Sequence, residues 1–122
     1  MNLEKVVFAF FIILALSLNF GFYVGDPSDP SHHNVYELFA ALVVSLICTI
    51  MKFGDRSLFG STVLASSLVA DLLLIAAAIY WGMANPLSAS ALASILSLAA
   101  GALVANLVSV VLLIVETVQV RK

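Results

Sequence analysis

Four long apolar stretches dominate this chain, at about 6–24, 35–51, 58–83 and 87–118. A helix needs about 20 apolar residues to cross ~30 Å of hydrocarbon. The chain has only five Lys and Arg residues, and all of them fall between or beyond these stretches. Lys5 precedes the first, Lys52 and Arg56 separate the second and third, and Arg121 and Lys122 follow the fourth. The connectors 25–34 and 84–86 contain none. Lys and Arg near helix ends are retained on the cytoplasmic side. The pattern therefore predicts an all-α integral membrane protein with both termini cytoplasmic. It is read as one domain over 1–122, with four transmembrane helices at about 5–24, 35–52, 57–83 and 87–119.

Composition removes most other classes. With 63% hydrophobic and 10% charged residues, a 122-residue soluble fold could not hide its apolar surface. No basic stretch offers a nucleic-acid surface, so the bilayer is the expected surrounding. Cys48 is the lone cysteine and lies mid-helix, which excludes an internal disulfide. The first stretch exceeds the apolar core of a cleaved leader and ends without a small-residue cleavage site. It is expected to stay as helix one. Tyr23, Tyr36, Tyr80 and Trp81 all fall at the predicted outer ends of helices, where amphipathic rings favour the headgroup level.

Local signals set the helix starts. The outer loop carries two Asp-Pro pairs, which disfavour helix in the preceding residue. Asn34 followed by Glu37 has the spacing of a capping box for helix two, and Asn85-Pro86 is read as the start of helix four. The short turn around Gly54 makes helices two and three an antiparallel hairpin.

Polar residues inside the apolar stretches are the candidate functional groups. Asp71 lies halfway along helix three, where a carboxylate costs about 2.5–3.5 kcal/mol on insertion scales. Intramembrane acids mark ion or proton pathways by default. Ser67, at i−4, is its nearest local partner. Asn19, Ser45 and Asn106 bring one polar group from each remaining helix to a similar depth. On helix two, Glu37, Ala41, Ser45 and Thr49 recur at i+4 steps and share a face that ends at Lys52. Interhelical packing and hydrogen bonding explain such positions equally well. On helix four, Ser97, Gly101 and Ala105 form a small-xxx-small seam suited to close packing, including packing between copies. A homo-oligomer is expected on that ground.

The outer loop is acidic. Asp26, Asp29 and Glu37, repeated around an oligomer axis, would form a vestibule that concentrates monovalent or divalent cations. Asp26, Asp29, His32 and His33 are the only residues with metal-ligand chemistry, and their spacing matches no defined motif. No cofactor is expected beyond a divalent cation at that loop. Gly21 to Asp26 shares residue types with a potassium-channel filter, but in scrambled order and without a preceding pore helix.

Known four-helix families of this length fit poorly. Helix one lacks the mid-helix glutamate of small multidrug-resistance transporters, and the lopsided Lys/Arg split is unlike that of dual-orientation fluoride channels. Gly25-Asp26, the segment from His32 to Phe39, the turn from Lys52 to Arg56 and the segment from Ser67 to Leu72 resemble a family of short bacterial inner-membrane proteins. That family is uncharacterised. The resemblance spans most of helices one to three and fades in helix four. It implies a bacterial inner membrane and no particular activity.

No nucleophile–base pair, phosphate loop or metal signature is present, so an enzyme is not expected. The leading reading is a homo-oligomeric cation channel with an acidic outer mouth (Asp26, Asp29, Glu37) and a polar mid-depth pathway. The pathway residues are Asp71, Asn19, Asn106, Ser45, Thr49 and Ser67, and the pore is expected between subunits. Two alternatives stand beside it: an accessory subunit of a larger transporter, and a proton-coupled carrier using Asp71.

Overall fold

The computed structural model describes residues 3–25, 33–54, 57–84 and 88–121. Within them the chain folds into four helices: α1 (Leu3–Tyr23), α2 (Val35–Lys52), α3 (Leu58–Met83) and α4 (Ala89–Arg121). All four are long and apolar enough to cross a membrane. Each packs on its neighbours in the order α1–α2, α2–α3, α3–α4 and α4–α1, so the chain runs up and down around a closed ring. One end of the ring gathers Lys52 and the start of α1, and we call it the basic end. The other holds Tyr23 and Glu37, and we call it the acidic end.

Side-chain hydroxyls and an amide set three of the helix starts. Asn34 accepts from Tyr36 N at 2.8 Å, Ser57 Oγ from Gly60 N at 2.9 Å, and Ser88 Oγ from Ala91 N at 3.0 Å. Each such cap is worth ~1 kcal/mol. Two expectations are corrected. The carboxylate of Glu37 does not close a capping box with Asn34 but lies against Gly21 of α1. Helix four is capped by Ser88, later than the Asn85-Pro86 start, and residues 85–87 lie outside the described ones.

Burial follows helical spacing closely. α1 buries Phe8, Ile12, Ala15, Asn19 and Phe22, and α3 buries Gly60, Val63, Ser67, Ala70, Leu74 and Ala77. Alternating steps of three and four keep one stripe of each helix facing its partners. The residues between these stripes, such as Phe10, Ile13, Leu72 and Val104, are exposed and apolar, as lipid contact requires. Hydroxyls on that outer surface are satisfied within their own helices. Ser17, Thr62 and Thr117 each donate to the carbonyl four residues earlier.

Small residues bring α3 and α4 together. Gly101 faces Leu73, and a Cβ added there would meet Leu73 Cδ1 at 2.8 Å. Ala105 is buried as well, and only Ser97 of the predicted seam is exposed. The seam is thus mainly an internal contact, because the nearest helix to its glycine belongs to the same chain.

The interior has three layers. Toward the acidic end, Phe22, Leu38, Ala41, Leu74, Ala77, Leu92 and Ile95 form one fully buried apolar cluster. Toward the basic end, Phe8, Ile12, Cys48 and Val63 form another, with Lys52 Nζ 4.3 Å above the Phe8 ring. Polar side chains lie between the bulky residues of the two clusters, alongside Ala70, Ala102 and Ala105 of the first.

Candidate functional site

Asp71 sits close to the middle of α3 and is 5% exposed. Its stripe on α3 turns it toward α2, whose buried face carries Ser45, Cys48 and Thr49. Ser45 Oγ donates to Asp71 Oδ1 at 2.7 Å, and Thr49 Oγ1 lies 2.5 Å from Oδ2. Both carboxylate oxygens are therefore engaged by hydroxyls of one neighbouring helix. Among the described residues no ion pair joins them. The sequence has no Lys, Arg or His between residues 57 and 120, and α2 has only Lys52 at its far end. A carboxylate in hydrocarbon with hydroxyl partners alone is a weakly compensated charge.

α4 closes the other side of α3. Ser66 Oγ and Ser109 Oγ lie 2.5 Å apart and tie the two helices. With Gly101 against Leu73 and Ser109 against Ser66, the antiparallel register sets Asn106 level with the turn of α3 from Ser67 to Ala70. Asn106 and Ser67 are fully buried, and neither the Asn106 amide nor Ser67 Oγ has a hydrogen-bond partner among the described residues. Buried polar groups without partners are rare and mark water, ion or functional positions.

Two sequence expectations change here. Ser67 is not the partner of Asp71, whose oxygens turn outward to α2. Asn19 is not part of the carboxylate cluster. With its amide oriented to suit its surroundings, it donates to Ala99 O at 3.2 Å and accepts from Leu103 N at 3.0 Å. It clamps α1 to the backbone of α4. Replacing Asn19 with Leu is expected to cost about 1 kcal/mol, the scale of an interhelical bond in lipid. Heat denaturation in detergent, read by loss of helical circular dichroism, checks this. The Ser66–Ser109 pair went unnoticed in the sequence because serines on a small-residue face read as packing.

Of the expected vestibule, only Glu37 lies among the described residues. Asp26, Asp29 and His32 lie outside the described residues. Glu37 is half-buried over Gly21, since only a residue without Cβ leaves room for its carboxylate there. His33 is buried, and its Nδ1 bonds the carbonyl of Phe22 at 2.6 Å. Among the described residues no group of three His, Cys, Asp or Glu side chains could hold a metal ion. Tyr23, Tyr36 and Tyr80 are exposed at this end, while Trp81 packs edge-on to Phe22. A cleft of ≈ 410 Å³ between α1 and α4, lined by Phe20, Tyr23, Leu96 and Ser97 among others, opens outward and does not involve the polar layer.

Four apolar helices of spanning length, closed around a carboxylate at mid-depth, define a multi-pass membrane protein with a polar layer inside its bundle. The chain belongs to the family of unknown function DUF6394, whose profile matches residues 32–117. The match takes in α2, α3 and nearly all of α4, and starts after α1. It therefore includes Asp71, Ser45, Thr49, Ser67 and Asn106 but not Asn19, and it extends into the helix where the sequence resemblance fades. No curated protein and no solved structure matches the chain.

Proposed function

We propose that this protein carries a small cation across a bacterial inner membrane, with Asp71 as the binding group inside each four-helix bundle. The observation that carries this reading is the Asp71 carboxylate itself. It is buried at mid-span, held by Ser45 and Thr49, with no ion pair to it among the described residues. The basic end, with Lys5 and Lys52, faces the cytoplasm by the retention of positive charge. Glu37 and the acidic loop then face outward and draw cations to that side.

This reading moves the pathway from a pore between subunits to the inside of one chain. The exposed mid-depth surface of α3 and α4 is apolar (Val69, Leu72, Val104, Leu107), so an intersubunit pore there would have no polar lining. Self-association, if through α4, would use the exposed Ser90, Ala93 and Ser97 and would not build the site. The apolar clusters on both sides of Asp71 favour a carrier that opens to one side at a time over a standing channel.

Purified protein in liposomes tests the proposal through cation flux under an imposed membrane potential. Flux lost in Asp71→Asn supports it; flux equal in both proteins would sink it. A second measurement reports opening. Cys48 is fully buried beside Thr49, so it is expected to resist a water-soluble maleimide at rest and to react in denaturing detergent. Under a potential that drives flux, its labelling is expected to accelerate.

A further inference from the structure

We infer that the cation Asp71 holds is a proton, carried as the carboxylic acid with Oδ2–H donated to Thr49 Oγ1; this rests on the carrier reading above. Thr49 Oγ1 lies 2.5 Å from Asp71 Oδ2 and 3.1 Å from the carbonyl of Ser45. A threonine hydroxyl has one hydrogen and two lone pairs, and a carbonyl oxygen can only accept. When the hydroxyl hydrogen points to Ser45 O, the short contact to Oδ2 is a hydrogen bond only if Asp71 supplies the proton. When Asp71 is ionised, the same hydroxyl turns and donates to Oδ2. Ser45 Oγ donates to Oδ1 in either state.

Both protonation states are thus fully hydrogen-bonded, and they differ by rotation of one O–H bond. Release breaks the Oδ2–H bond, leaves its electron pair on Oδ2 and delivers the proton to water on the side that has opened. The Thr49 hydrogen swings from Ser45 O to Oδ2 to take its place. Loading reverses each step. A metal ion fits this arrangement poorly. Oxygens that share an ion at ~2.3–2.6 Å stand roughly 3.2 Å or more apart when at right angles. Here the Ser45 and Thr49 hydroxyl oxygens sit 2.7 and 2.5 Å from the carboxylate, closer than separate side chains stand around one such ion.

Other titratable groups are few. α2 presents Cys48 beside Thr49, Lys52 nearly one turn further and over Phe8, and Glu37 about two turns from Ser45 toward the acidic end. α1 has none between Lys5 and Tyr23, and α4 has none before Glu116. Asp71 is the only acid in α3.

The test uses the full chain in liposomes that enclose a pH-sensitive dye, with valinomycin and a potassium gradient setting the potential. Proton entry is expected, and it should persist when external sodium is replaced by choline. Asp71→Asn should abolish it. Thr49→Val should slow it by roughly tenfold, the loss of one charge-assisted hydrogen bond, while Thr49→Ser restores it. Protection of Cys48 from maleimide confirms that each variant is folded. Flux of sodium or potassium without proton movement would overturn the inference and leave the carrier reading standing. If neither moves, the carrier reading fails, and infrared spectra of the membrane-embedded protein decide the inference. A protonated-carboxyl band missing in Asp71→Asn upholds it, and its absence from the wild type overturns it.

Discussion

Asp71→Asn is expected to separate activity from stability: transport falls to the level of protein-free liposomes while the bundle still folds. The amide keeps an acceptor for Ser45 Oγ and offers an N–H to Thr49 Oγ1, so both contacts to α2 survive in neutral form. Interhelical hydrogen bonds in lipid are worth ~0.6 kcal/mol each, and a neutral group removes the burden of a buried charge. The net change in stability is therefore expected within about 1 kcal/mol of zero. Flux assays on the reconstituted variant and thermal unfolding in detergent measure the two sides. Were Asp71 only interhelical glue, wild-type and variant liposomes alike would show no more flux than protein-free ones.

The opposite behaviour is expected of Gly101→Leu, which should unfold the bundle more readily without touching a polar group. The Cβ alone would meet Leu73 Cδ1 at 2.8 Å, and the full side chain must enter the closest part of the α3–α4 contact. Overpacking of this kind costs about 1–3 kcal/mol. Gly101→Ala should cost much less, because the tip of Leu73 can rotate away from a single methyl. The ranking Gly, Ala, Leu in detergent unfolding midpoints checks the contact directly. Equal midpoints for all three would mean that α3 and α4 are not packed this closely.

The path of the chain was readable from its residues because charge and apolar length act one helix at a time. Lys5, Lys52 and the four apolar runs specify spans without any knowledge of packing. The i+4 stripe of Ser45 and Thr49, and the depth of Asp71, were legible for the same reason. What the sequence could not supply was which stripes meet. Asp71 has a short side chain, so its partner depends on the register of the α2–α3 hairpin, and the hydroxyl one turn away on its own helix does not bond it. Asn19 met a stretch of backbone, which carries no sequence signal. Gly101 looked like a contact for another copy because a small-residue seam does not say whether its neighbour lies in the same chain.

One contact at the acidic end reaches further than its size suggests. His33 bonds the carbonyl of Phe22, and the Phe22 ring packs tilted against His33 and edge-on to Trp81 while forming part of the apolar cluster above Asp71. His33 is thereby joined to the apolar cluster above the carboxylate. The two are coupled through that ring, so displacing His33 would also disturb the packing over Asp71.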